Sequence, residues 1–176
     1  MSNYLIFLDL ETTGLDPRRD QILEVAAIVV DTETWEESSP LHAVIKHDLS
    51  SLHMVDFVRD MHSRTGLLSE LEHGRPWSDV QDQLSLLFAL YPRARLAGRN
   101  VGTFDRAFIE AKAGLITAPL SHQNFDVSTL LNARTWFSDF ADPLPAFEGT
   151  QHRALDDVRN DIEIVRFIAD EMGALL

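Results

Sequence analysis

Tyr4-Leu5-Ile6-Phe7-Leu8 is a short apolar run rich in strand formers, and it predicts a buried strand. Gly14 and Asp16-Pro17 close it in a turn. Ile22 to Asp31, dominated by Ile, Val and Leu, predicts a second strand, and Leu41 to Lys46 a third. Three strands so near in succession imply an antiparallel meander at the start of a sheet. Helical spacing then takes over. Val80, Leu84, Leu87, Phe88 and Tyr91 make one face, with Pro76 and Ser78 near its start and Pro92 just beyond its end. Leu96-Ala97-Gly98 reads as a brief strand, and Thr103 as the cap of a helix from Phe104 to about Lys112 that Gly114 ends. Phe125-Asp126-Val127 is a further strand end leading into Ser128-Thr129-Leu130-Leu131. The last helix is the clearest, because Leu155, Val158, Ile162, Val165, Ile168 and Met172 recur at intervals of three and four. Asp139 to Thr150, with two prolines and Gly149, reads as a loop. Strands first, then helices alternating with short strands, give an α/β class: a mixed sheet with helices packed on it.

Composition narrows this picture. A chain of 176 residues, 45% of them hydrophobic, makes about one domain with one packed core, so 1–176 is expected to be a single domain. The longest apolar stretch, Ile22 to Val30, is short and broken by Glu24, so no segment is expected to span a bilayer. Met1-Ser2-Asn3-Tyr4 has neither a basic leader nor a cleavage site, and a cytoplasmic protein is expected. The absence of cysteine excludes disulfides and thiolate metal sites, which agrees with that compartment. The net charge of -13, from 28 acids against 15 bases, argues against a protein that grips long nucleic acids through a broad basic face. A short oligonucleotide is still accessible to an acidic protein if divalent cations and a local pocket supply the positive field.

The acids themselves carry the candidate chemistry. Asp9-Leu10-Glu11 lies at the end of the first strand, where alternation puts both carboxylates on one face. Two anions so close call for a cation, and hard oxygen ligands without Cys or clustered His favour Mg²⁺ or Mn²⁺ over Zn²⁺. Taken alone, such a pair is more often a solvated strand end. In His152-Arg153-Ala154-Leu155-Asp156-Asp157, a helix beginning near Ala154 leaves His152 in the preceding loop and turns Asp157 inward. An imidazole placed there can take a proton from a metal-bound water near neutral pH. Asp156 and Asp157 equally suit the positive end of a helix dipole, and the same bland reading prevails for Asp105 by itself. Four carboxylates and a histidine, each at an element end, have a joint reading: two cations that stabilise the attacking and leaving oxygens of a phosphodiester.

Together these segments resemble the DEDD exonucleases of the histidine branch (DEDDh, the DnaQ-like 3′→5′ exonuclease superfamily). The resemblance rests on Asp9-x-Glu11-Thr12-Thr13-Gly14-Leu15, on Asp105 before Arg106 and Phe108, and on His152-x-Ala154-x-x-Asp157. Gln21-Ile22-Leu23-Glu24-Val25-Ala26, His62 with Thr65-Gly66-Leu67, and Asp126-Val127-Ser128-Thr129-Leu130 are similar to oligoribonuclease within that branch. It implies an RNase H-like (exonuclease) fold with a mixed central sheet flanked by helices. It also implies a 3′→5′ exoribonuclease that cuts dinucleotides and slightly longer RNAs to nucleoside 5′-monophosphates. The alternatives are an exonuclease on longer single-stranded DNA or RNA, as in proofreading and RNase T relatives, and a non-catalytic oligonucleotide-binding protein. By the same resemblance Asp9, Glu11, Asp105 and Asp157 would bind two divalent cations, Mg²⁺ or Mn²⁺, and His152 would be the base. Thr12, Thr13, Gly14, Leu15, Phe57, His62, Asn100 and His122 would touch substrate, with Leu15 as a wedge between bases and Phe57 as a stacking face. Glu24 looks structural, and Asp126 fixes a strand–helix junction. A homodimer is implied too, although Ser121-His122-Gln123 stands where oligoribonuclease has the His-Tyr-Arg triplet that a second subunit uses to close over the far phosphate.

Overall fold

The computed structural model describes residues 3–137, 143–146, 149 and 151–173. Its sheet has five strands in the order β3-β2-β1-β4-β5. β1 (Tyr4–Thr12), β2 (Ile22–Asp31) and β3 (Glu37–Val44) form the expected antiparallel meander. β4 (Arg95–Gly98) then runs parallel to β1, and β5 (Phe125–Asp126) parallel to β4. Among the described residues the helices are α1 (Asp56–Arg64), α2 (Leu67–Glu70), α3 (Trp77–Leu90), α4 (Asp105–Ala113), α5 (Val127–Phe137) and α6 (Ala154–Gly173). None is long and apolar enough to cross a membrane.

β1 and β2 are apolar almost throughout because both faces of the sheet are covered. Ile6, Leu8 and Leu10 pack with Val80, Leu84 and Phe88 of α3 and Phe108 of α4. Leu5 and Phe7 turn the other way, onto Val158, Ile162, Val165 and Ile168 of α6. Odd positions of β1 thus face α6, and this parity decides where Asp9 and Glu11 point.

Several expectations shift. β3 starts earlier and ends before Ile45, whereas β1 carries Asp9 and Glu11 at its end as expected. α4 begins at Asp105, and Thr103 does not cap it: the Thr103 hydroxyl donates to the Asn100 carbonyl, 3.2 Å away. Asp126 does secure the β5–α5 junction, its Oδ1 accepting the Thr129 N–H at 3.2 Å. Met172 ends the α6 stripe in solvent, 54% exposed. Most of the expected 139–150 loop lies outside the described residues, and 143–146 carry no helix or strand.

Candidate active site

Asp9 and Glu11 leave the end of β1 on the α6 side. α6 answers with Asp157 and Asp161, four apart and so on one helix face, above the apolar stripe that fixes the helix to the sheet. Asp105 enters from the start of α4 and is 2% exposed. Leu10 donates its N–H to this carboxylate, while Oδ1 has no hydrogen-bond partner. Gly98 makes this convergence possible. It closes β4 at φ +151°, and a Cβ there would lie 2.7 Å from the Leu8 carbonyl oxygen.

The acids open on a groove of about 370 Å³ that also exposes Leu15, Phe57, Val58, Met61 and Phe104. Leu15 and Phe57 are 83% and 72% exposed, so neither is a core residue. Glu11, His152 and Asp157 each bring one ligand atom within 4.8 Å of the others. Asp105 lies behind the groove and meets Asp9 through charge. A cavity of about 620 Å³ opens elsewhere, beside Asp156, Arg159 and Glu163 of α6, and contains none of these grouped acids.

Electrostatics marks the cluster as short of positive charge. Burial, then the neighbouring Asp105, Glu11, Asp157 and Asp161, hold the Asp9 carboxyl well above the usual range. Burial followed by Asp157, Glu24 and Asp105 pushes Glu11 up to about 8. Burial raises Asp105 to about 8, although backbone N–H groups pull against it. Asp157 is raised by burial, and Asp161 reaches about 6 for the same reason despite Arg99 beside it. Buried acids that keep protons for want of a counter-charge, with one carboxylate oxygen unpartnered, are a donor set suited to hard divalent cations.

A second ionic cluster sets the loop before α6. Glu24 is fully buried in β2 and accepts from His42 (2.7 Å), from Arg153 Nη2 (2.9 Å) and from the Ala154 N–H (3.1 Å). Burial alone would raise Glu24, but these bonds outweigh it and its pKa falls below the usual value. Arg153 also pairs with Glu70 at 2.9 Å. His152, one residue before this anchor, takes φ +62° and donates its N–H to Asp157 Oδ2 at 2.9 Å.

Of the residues expected to touch a ligand, Thr12, Gly14, Leu15 and Phe57 line the groove. Thr13 does not; 3% exposed, it bonds to Asp20 and accepts the Gln21 N–H, shaping the turn. His62 has no exposed surface, and its Nε2 donates to the Thr12 carbonyl at 2.9 Å, so it stands behind the groove wall. Asn100, with φ +55°, turns the chain and accepts from Thr103 and Phe104, while exposed His122 lies outside the groove. Reasoning from sequence missed Asp161 and Arg99. The signal for Asp161 was its place one helical turn after Asp157.

The exonuclease family model RNase T matches residues 6–165. The oligoribonuclease of Cutibacterium acnes is 36% identical over 165 residues, 90% of this chain and 81% of that protein. That of Mycobacterium leprae is 34% identical over 174 residues, 95% of this chain and 80% of that protein. The crystal structure of E. coli exonuclease I in complex with a dT13 oligonucleotide superposes with a TM-score of 0.76 at 18% identity. It matches 98% of this chain, which spans 42% of that longer protein, and the likeness is one of fold.

Proposed function

Because this chain belongs to the RNase T exonuclease family, we propose that it is a 3′→5′ exoribonuclease of short oligonucleotides and that 1–176 forms one exonuclease domain. Its products are nucleoside 5′-monophosphates. The oligoribonuclease relatives support the short substrate, as does a net charge of -13 that disfavours long polyanions.

The observation that carries this reading is that acids of β1 and α6 line one groove with Asp105 of α4 buried directly behind them, where burial and mutual repulsion hold them above their usual pKa values. Asp9, Glu11, Asp105 and Asp157 would hold two divalent cations, Mg²⁺ or Mn²⁺, which when bound supply positive charge for the attacking and leaving oxygens of the phosphodiester. Leu15 and Phe57 offer apolar faces to the terminal base. His152 takes a proton from the attacking water as the water oxygen bonds to phosphorus and the bond to the 3′ oxygen of the preceding nucleotide breaks, that oxygen leaving with the electron pair and taking a proton from solvent to become the new 3′-hydroxyl. The Asp157 contact to its backbone and the Glu24–Arg153 anchor hold the imidazole in place. The assembly implied by the resemblance is a homodimer.

The test is to give the purified protein labelled RNA dinucleotides and 20-mers, with DNA counterparts, in Mg²⁺ or Mn²⁺. Dinucleotides should be cleaved to monophosphates faster than 20-mers are shortened. Failure to cut any of them rejects the proposal, and faster attack on the 20-mers selects an exonuclease of longer strands.

A further inference from the structure

A second groove, of about 340 Å³, adjoins the first and shares Arg99, His152 and Asp157 with it. Beyond that ridge it is formed by Leu144, Pro145, Gln151 and Asn160 among others. Arg99 is the only lysine or arginine lining either groove among the described residues. It is also held in an unusual way. Its backbone N–H donates to Asp161 Oδ2 at 3.1 Å and its Nε lies 2.9 Å from Asp161 Oδ1, so one carboxylate fixes both ends of the residue. The terminal nitrogens donate no hydrogen bond among the described residues, and the side chain is 45% exposed. A guanidinium anchored through Nε presents its paired terminal N–H groups as a fork, the geometry that recognises a phosphate in bidentate fashion.

We infer that Arg99 binds the phosphate one nucleotide on the 5′ side of the scissile bond, as the oligonucleotide crosses from the apolar groove into the Gln151–Asn160 groove. This rests on the function proposed above and adds to it a residue that reads the chain beyond the bond being cut. The site acids and their cations deal with the scissile phosphate. A flanking phosphate lies outside their reach and enters grooves in which, among the described residues, Arg99 is the one lysine or arginine. Asp161 keeps the guanidinium at the ridge between the grooves, where its field also reaches Asp157.

The experiment uses two RNA trinucleotides, one natural and one with a neutral methylphosphonate at the linkage preceding the scissile bond. Release of the 3′ nucleotide is followed for the wild type, Arg99→Met and Arg99→Lys. The wild type should favour the natural substrate by about tenfold or more in kcat/KM, the size expected of one charge-assisted hydrogen bond. Arg99→Met should bring the two within about threefold, mainly through KM, and Arg99→Lys should keep part of the preference. Equal rates for both substrates in the wild type would overturn the inference. So would an unchanged preference in Arg99→Met with both rates lowered alike, which is the result expected if Arg99 only holds Asp161. Should Arg99→Met fail to fold, Arg99→Lys decides, through a preference reduced at least threefold or left intact. A wild type that cuts neither trinucleotide with metal present rejects the underlying function, and Arg99 with it.

Discussion

His152 meets Asp157 twice, through an N–H bond of 2.9 Å to Oδ2 and through a ring nitrogen within 4.8 Å of the Asp157 and Glu11 oxygens. In the proposed mechanism, proton transfer and cation binding therefore occupy adjacent atoms yet are separable by mutation. His152→Ala should lower kcat by about 10²–10⁴-fold while leaving Mn²⁺ affinity largely intact in calorimetry. Asp157→Ala should lose affinity together with turnover. Equal metal affinity in both variants contradicts this division of roles. His62 offers a second case at this scale. Its Nε2 donates to the Thr12 carbonyl, its Nδ1 faces Glu11 Oε2 at 3.8 Å, and burial pulls its pKa down; the ring is a buried prop under the groove wall. His62→Ala should cost about 2–4 kcal/mol in urea denaturation. A rise in KM with no loss of stability would instead mark His62 as a substrate contact.

At the level of elements, the start of α6 hangs on β2 through Glu24 and Arg153, whose side chain is 18% exposed beside a fully buried partner. Arg153→Met leaves that carboxylate with only His42 and the Ala154 N–H as partners and should destabilise the protein by about 3 kcal/mol, with Glu24→Gln recovering part of the loss in the double variant. Additive losses in the denaturation series would show the two side chains to be uncoupled. Elements with a strong apolar rhythm were legible in the sequence. β2 was read with its observed ends, and the α6 stripe places Val158, Ile162, Val165 and Ile168 in the core. The Asp9–Glu11 alternation was legible for the same reason. α1 was not, because its apolar residues Phe57, Val58 and Met61 line the groove, and His62 is its only residue buried in the interior. β3 was shifted because it is an edge strand whose first half, Glu37-Ser38-Ser39-Pro40, has no apolar alternation, and an edge tolerates proline. Thr103 has the chemistry of a cap, but a turn on Asn100 claims its hydroxyl. Arg99 escaped because its pairing with Asp161 joins residues 62 apart, a contact that local spacing does not encode.

For the molecule as a whole, the site acids set a cost that cations relieve. Glu11 and Asp105 retain protons up to about 8 when folded, and Asp9 is raised as well. Each binds its proton more tightly folded than unfolded, so ionisation works against folding. Metal-free protein should therefore lose melting temperature as pH climbs from the ordinary carboxylate value of 4.5 towards 8, and Mn²⁺ should restore it most at the upper end. A flat profile, or stabilisation by Mn²⁺ that weakens as pH rises, would contradict the charge deficit. The same deficit underlies the central claim, that Asp9, Glu11, Asp105 and Asp157 share a pair of cations. Anomalous diffraction from crystals grown with Mn²⁺ and a nucleoside 5′-monophosphate tests it directly. Two peaks about 3.5–4 Å apart among those carboxylates are expected; Mn²⁺ bound elsewhere, with the four carboxylates bare, would contradict it.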